Sequence, residues 1–212
     1  ELLRNVIVDR LKGTKYKLLY LKFWISFTID LIKLNKKNNL LKKLLEMNSK
    51  NIGSFKDCLV LACRYNPEIA LYILKSEWCT QKLVNQVNEN GDNCLMLALK
   101  YKKNIKLASY ILKSNYCNQK LVNQVNKYGH NCLILACKCS PEIAEYILES
   151  RWVNQELINQ INVSGINCLM EACEYNPEIA KYILKSKWCT QELVNQVTRN
   201  GLFRGENCLM NA

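Results

Sequence analysis

Histidine is nearly absent from this chain: of 212 residues, only His130 carries an imidazole. It stands beside Gly129, where a turn is expected, and no C-x2-C pair occurs near it; the tightest cysteine pair is Cys137-x-Cys139. Zinc sites draw on close clusters of such ligands, so neither a metal centre nor a Cys/His nucleophile is expected. A glycine-rich phosphate loop, a GxSxG elbow and an HExxH helix are missing as well. The expectation is a protein with no cofactor that is not an enzyme. A charge-free apolar run is also lacking. Leu18 to Ile32 is the most apolar stretch, but Lys22, Ser26, Asp30 and Lys33 form one narrow polar stripe along it, whereas a membrane span wants about 20 nearly uncharged residues. Acidic residues are absent from Asn93 to Pro141 while eight lysines are present; from Glu142 to Glu178 the balance reverses, with seven glutamates.

What the chain has is repetition. Gly91-Asp92-Asn93-Cys94-Leu95 returns as Gly129-His130-Asn131-Cys132-Leu133 and as Gly165-Ile166-Asn167-Cys168-Leu169. Asp57-Cys58-Leu59 precedes these and Asn207-Cys208-Leu209 follows, so the Cys-Leu anchors lie 36, 38, 36 and 40 residues apart. Self-similarity at such a period indicates a stacked solenoid in which no copy buries its apolar face alone. Residues 51–212 are read as the array, four copies and a fifth begun. Residues 1–50 carry 12 Lys/Arg against 4 Asp/Glu, a net +8 of the chain's +12, and are read as a basic extension or a worn capping repeat.

Of the 12 cysteines, all but Cys139 follow the same register. Cys58, Cys94, Cys132, Cys168 and Cys208 share one position, Cys63, Cys137 and Cys173 a second, and Cys79, Cys117 and Cys189 a third; Leu99 and Val153 replace cysteine in two copies. That suits a small packing residue rather than a bridge and points to a reducing, intracellular, cytoplasmic setting.

Within one copy, Asp57 or its counterpart Asn93, Asn131 or Asn167 precedes an apolar run and suits an N-cap. Leu59, Ala62 and Cys63 fall on one helical face. Asn66-Pro67 ends that helix, and Pro67, Pro141 and Pro177 open the next. Ser76 closes the second helix, and Thr80, Asn118, Asn154 and Thr190 are expected to cap a short third one. Asn90-Gly91 marks a tight turn in which both residues tolerate positive φ. The Trp78, Tyr116, Trp152, Trp188 series has the strict period of inter-repeat packing rather than of a base-stacking track. Asn162-Val163-Ser164 fits a glycosylation sequon, but Asn162 repeats Asn88 and Asn126.

Position for position, Gly-x-Asn-Cys-Leu-Met-x-Ala-Cys resembles the ankyrin G-x-T-P-L-H-x-A-A, with Cys in place of Pro. Val84-Asn85 to Gly91 is similar to the V-N-x-x-D-x-x-G stretch that precedes it. The resemblance implies an all-α, helix-dominated repeat solenoid, an ankyrin-like stack of helix-turn-helix units with protruding turns. The polar turns are poor in strand formers, so isolated turns are expected where the family has hairpin fingers. The Lys/Asn/Ile/Leu/Tyr bias is similar to ankyrin-type families of giant DNA viruses; the partner would then be a host protein.

The resemblance also implies a monomeric protein-interaction scaffold that binds through turn tips and the inner helix face. Positions that differ between copies while their neighbours repeat are the expected readers: Glu89, Asn90 and Asp92; Lys127, Tyr128 and His130; Val163, Ser164 and Ile166; Arg199 and Asn200. The alternative is binding of nucleic acid or an anionic surface through the basic extension and a second-copy patch of Lys100, Lys102, Lys103 and Lys106.

Overall fold

A computed structural model describes residues 58–65, 67–76, 79–100 and 104–198. The expected extension at 1–50, the start of a fifth copy at Cys208 and Leu209, and Trp78 lie outside the described residues. The described ones hold helices and no strand, in a unit beginning at Leu59. Each copy contributes three: α1 (Cys58–Tyr65), α2 (Pro67–Lys75) and α3 (Gln81–Val84); α4 (Cys94–Lys100), α5 (Ile105–Lys113) and α6 (Gln119–Val122); α7 (Cys132–Cys139), α8 (Pro141–Glu149) and α9 (Gln155–Asn159); α10 (Cys168–Tyr175), α11 (Pro177–Lys185) and α12 (Gln191–Asn195).

Local chemistry sets the boundaries. Asn93, Asn131 and Asn167 accept from the Met96, Ile134 and Met170 N–H groups, each at 2.9 Å, and so start the first helices. Pro141 and Pro177 occupy the opening turn of α8 and α11, where a missing N–H is no loss. Ser76, Ser114, Ser150 and Ser186 end the second helices by donating their hydroxyls to Ile73, Ile111, Ile147 and Ile183. Thr80, Asn118, Asn154 and Thr190 cap the short third helices as expected.

First helix packs on first helix through the stack, α4 on α7 and α7 on α10, and the second helices pack likewise. Ala62, Ala98, Ala136 and Ala172 are buried at the contacts between first helices, and Leu59, Leu95, Leu133 and Leu169 are fully covered. Each such leucine contributes roughly 1.5–3 kcal/mol, which makes the stacked face the main source of stability.

Polar rungs run within and between the copies. The capping asparagines turn their amide nitrogens to the third helix of their own copy, Asn93 to the Leu121 carbonyl and Asn131 to Leu157, both at 2.7 Å, and Asn167 to Leu193 at 2.9 Å. A second ladder runs from Gln81, Gln119 and Gln155 to the carbonyls of Tyr116, Trp152 and Trp188. In the second copy, which lacks the proline turn, buried Asn104 reaches back to the Cys63 carbonyl at 2.8 Å.

Three of the first-position cysteines, Cys94, Cys132 and Cys168, are fully buried thiols with a hydrogen-bond role. They donate to the carbonyls of Val84, Val122 and Ile158, respectively, at 3.5, 3.2 and 3.5 Å. Burial pushes the Cys132 thiol far above its usual pKa, and that of Cys117 up to about 11, so both stay protonated. No disulfide joins cysteines among the described residues.

Candidate partner-binding ridge

Each tip is a four-residue turn closed by an asparagine and a glycine. In the second copy the Gly91 N–H donates to the Asn88 carbonyl and the Asn88 N–H to the Asp92 carbonyl, both at 2.9 Å. The Asn88 side-chain oxygen accepts from the Asn90 and Asp92 N–H groups, and Asn126 and Asn162 repeat the arrangement. The glycine takes positive φ, at 80°, 79° and 81° for Gly91, Gly129 and Gly165. The residue before it is Asn90, Tyr128 or Ser164. A single antiparallel bridge, Val87 to Asn93, is all that remains of a finger in the second copy.

Successive tips are tied together through their backbones. The Lys127 N–H donates to the Asn90 carbonyl at 2.8 Å and the Val163 N–H to the Tyr128 carbonyl at 2.9 Å. A Cβ on Gly129 would stand 2.7 Å from the Asn162 Cα, so a side chain there would drive two copies apart as well as strain φ. The tips therefore form one continuous ridge.

Most of the expected readers lie along it. Glu89, Asn90 and Lys127 are exposed, Tyr128 is 48% and Val163 58% exposed, and His130, Ser164 and Ile166 are partly covered. Asp92 is different. It is only 2% exposed, pairs both oxygens with Lys100 at 2.7 Å, and accepts from the Asn126 amide at 2.7 Å. It braces the ridge from inside. His130 takes the same place one copy later, with Nε2 3.3 Å from the Asn162 amide nitrogen. Burial, then the charges of Lys100 and Lys138, holds its pKa below the usual imidazole value, with Asp92 acting the other way. The neutral ring can thus accept from Asn162. Arg199 and Asn200 lie outside the described residues.

The inner face of the first helices adds residues that the sequence did not single out as a group. Lys138 pairs with Glu171 at 3.2 Å and stands 4.4 Å over the Tyr175 ring. Lys100 lies 5.9 Å from the centre of the Tyr128 ring, linking helix face to tip. Glu171 is 4% exposed at the position that Leu97 and Leu135 fill in other copies. Burial raises its pKa, and Lys138 opposes that without cancelling it. The departure of Glu171 from leucine was the available signal. Of the basic patch, Lys106 is exposed, Lys100 is spent on Asp92, and Lys102 and Lys103 lie outside the described residues.

With stacked three-helix units, capping asparagines and a tied ridge of glycine turns described, comparison with known families is decisive. Residues 59–156 match ankyrin repeats, in three copies. The chain carries ankyrin repeats. The repeats are divergent, with Cys94, Cys132 and Cys168 hydrogen-bonded where the usual pattern has proline. The ankyrin-type geometry continues past the matched residues, since α10 and α12 keep the side-chain caps of Asn167 and Thr190, α11 keeps its opening proline, and Asn167 again reaches the third helix. No curated protein matches the chain. Ankyrin repeats are in general protein–protein interaction modules, and proteins built from them are typically non-catalytic scaffolds. Among the described residues, no helix is long and apolar enough to cross a membrane and no cluster of His, Cys, Asp or Glu could hold a metal ion.

Proposed function

We propose that this chain is a scaffold that binds a protein partner along the tip ridge and the adjoining inner helix face, without catalysis. One observation carries the reading. The backbone bonds from Lys127 to Asn90 and from Val163 to Tyr128 hold the tips in a fixed row, and the side chains that row exposes differ from copy to copy. A rigid frame with variable, partly aromatic side chains lowers the ordering cost of association, and exposed Tyr128 is the residue type that anchors interfaces. The scaffold acts as a monomer in a reducing intracellular compartment, where its buried thiols remain thiols. A photo-activated cross-linker replacing Val163 should capture a discrete partner whose yield falls at least about tenfold when Tyr128→Ala is added. Equal capture from position 106, on the outer face of α5, would sink the reading. The rival, an anionic polymer or surface, has weaker support because Lys100 is already paired; it predicts steep loss of binding with salt.

A further inference from the structure

On the side of the second helices, a groove of about 780 Å³ opens between the third and fourth copies. Glu149, Arg151, Tyr182, Lys185, Lys187 and Trp188 form its walls above Leu148. None of these residues belongs to the tips or to a first helix. The three cations stand within 4 Å of no carboxylate among the described residues; the ion pairs there are those of Lys100, Lys138 and Lys181. Two of the cations are held in place by neighbouring rings. The Arg151 guanidinium lies 4.1 Å over the Trp152 ring and the Lys187 ammonium 4.7 Å over that of Trp188. The carbonyls of Trp152 and Trp188 accept from Gln119 and Gln155, so these rings sit on segments fixed to the previous copy.

We propose that this groove receives a phosphate monoester borne by a side chain of a partner protein. The charge count selects that chemistry. Arg151, Lys185 and Lys187 against Glu149 give 3 − 1 = +2, which balances the charge of about −1.5 to −2 on a phosphorylated side chain at neutral pH. The same four repeat positions at the preceding junctions are Lys113, Asn115, Glu149 and Arg151, and Lys75, Glu77, Lys113 and Asn115, each summing to only +1. A guanidinium held over an indole face still presents N–H donors that can make two parallel bonds to an oxyanion. Because each of these indoles already has a protein cation against its face, a stacked nucleobase finds no open platform here. A walled groove admits one protruding side chain, whereas a membrane surface presents many headgroups in a plane.

Direct titration of the full chain tests this. The indole N–H resonances of Trp152 and Trp188 should shift saturably with an alanine-rich pentapeptide carrying phosphoserine, with Kd on the order of 1 mM or tighter. The glutamate version should bind about tenfold more weakly because its charge is halved, and the serine version should not bind. Arg151→Gln and Lys187→Gln should each weaken binding about tenfold while distant amide shifts stay in place; Lys106→Gln should change nothing. No saturable shift, an unchanged response in the Arg151→Gln variant, or inorganic phosphate binding as tightly as the peptide would overturn the proposal. So would co-sedimentation with phosphoinositide vesicles that depends on Arg151 and exceeds peptide binding. The groove shares no residue with the ridge, so loss of binding here leaves the cross-linking result at position 163 untouched.

Discussion

The Asn131 amide nitrogen lies 2.7 Å from the Leu157 carbonyl oxygen, while the same side chain accepts from the Ile134 N–H at 2.9 Å. One buried residue thus starts the first helix of its copy and fastens the third. Asn131→Ala should lower stability by about 2–4 kcal/mol, a lost cap plus an unsatisfied buried carbonyl. Asn131→Thr retains the cap and loses only the bridge, so it should recover about 1 kcal/mol of that. Urea unfolding separates the two; equal costs would mean that the cap contributes nothing.

Cys132 and Leu133 are neighbours of unequal weight. Cys132→Ala removes a small volume and one weak S–H donor and should cost roughly 1 kcal/mol, whereas Leu133→Ala should cost about 2–5 kcal/mol. Reductant should leave the melting temperature of the wild-type chain unchanged. A reductant-dependent melting temperature would reveal a bridge where the structure has free thiols.

The His130 ring gives stability a pH dependence whose sign is fixed by burial. Its folded-state pKa lies below the ordinary value of 6.5, so the folded state binds the proton less readily than the unfolded chain. Its contribution is complete above pH 6.5 and declines as pH falls from there towards the folded pKa. Protonation also turns Nε2 from an acceptor into a donor facing the Asn162 amide. Wild-type protein should therefore lose melting temperature between about pH 7 and pH 5, and His130→Gln should flatten that slope. Parallel profiles for the two proteins would remove His130 from the account.

Glu171 carries the opposite shift. Its folded pKa is raised above 4.5 by burial, so the charged form is disfavoured above that pKa and the penalty is relieved as pH falls towards 4.5. Glu171→Leu, which copies Leu97 and Leu135, should stabilise the fold at pH 7 by about 1–3 kcal/mol, with the gain shrinking on acidification. Lys138, half exposed, stays solvated without its partner. A destabilised variant would mean that the Lys138 pair outweighs the burial of the carboxylate.

The architecture was legible because it is written several times over. Caps at Asn131 and Asn154, the proline starts at Pro141 and Pro177, and the serine stops follow from local hydrogen-bonding rules that need no neighbour. The tips were legible as positions but not as roles. Asp92, His130 and Ile166 occupy one variable column, yet Asp92 is buried on Lys100, and His130 faces Asn162 from the same place. Variation between copies marks both a surface that reads a partner and an internal site where unlike side chains satisfy unlike neighbours. Separating the two takes the distance from Asp92 to Asn126, which lies in the next copy and in no local pattern. The groove at Trp188 was hidden for the same reason, because its cations come from two copies.

The rungs between copies have a consequence for how such a chain changes over generations. Gln81, Gln119 and Gln155 donate to the main-chain oxygens of Tyr116, Trp152 and Trp188, and Asn104 to that of Cys63. A carbonyl is the same group whatever side chain it accompanies. The joint between two units is therefore indifferent to the identity of the unit that follows, and whole units can be duplicated, dropped or exchanged by recombination without creating a mismatched seam. Novelty is then free to accumulate in the tip side chains, while the joints pass unchanged from one arrangement to the next.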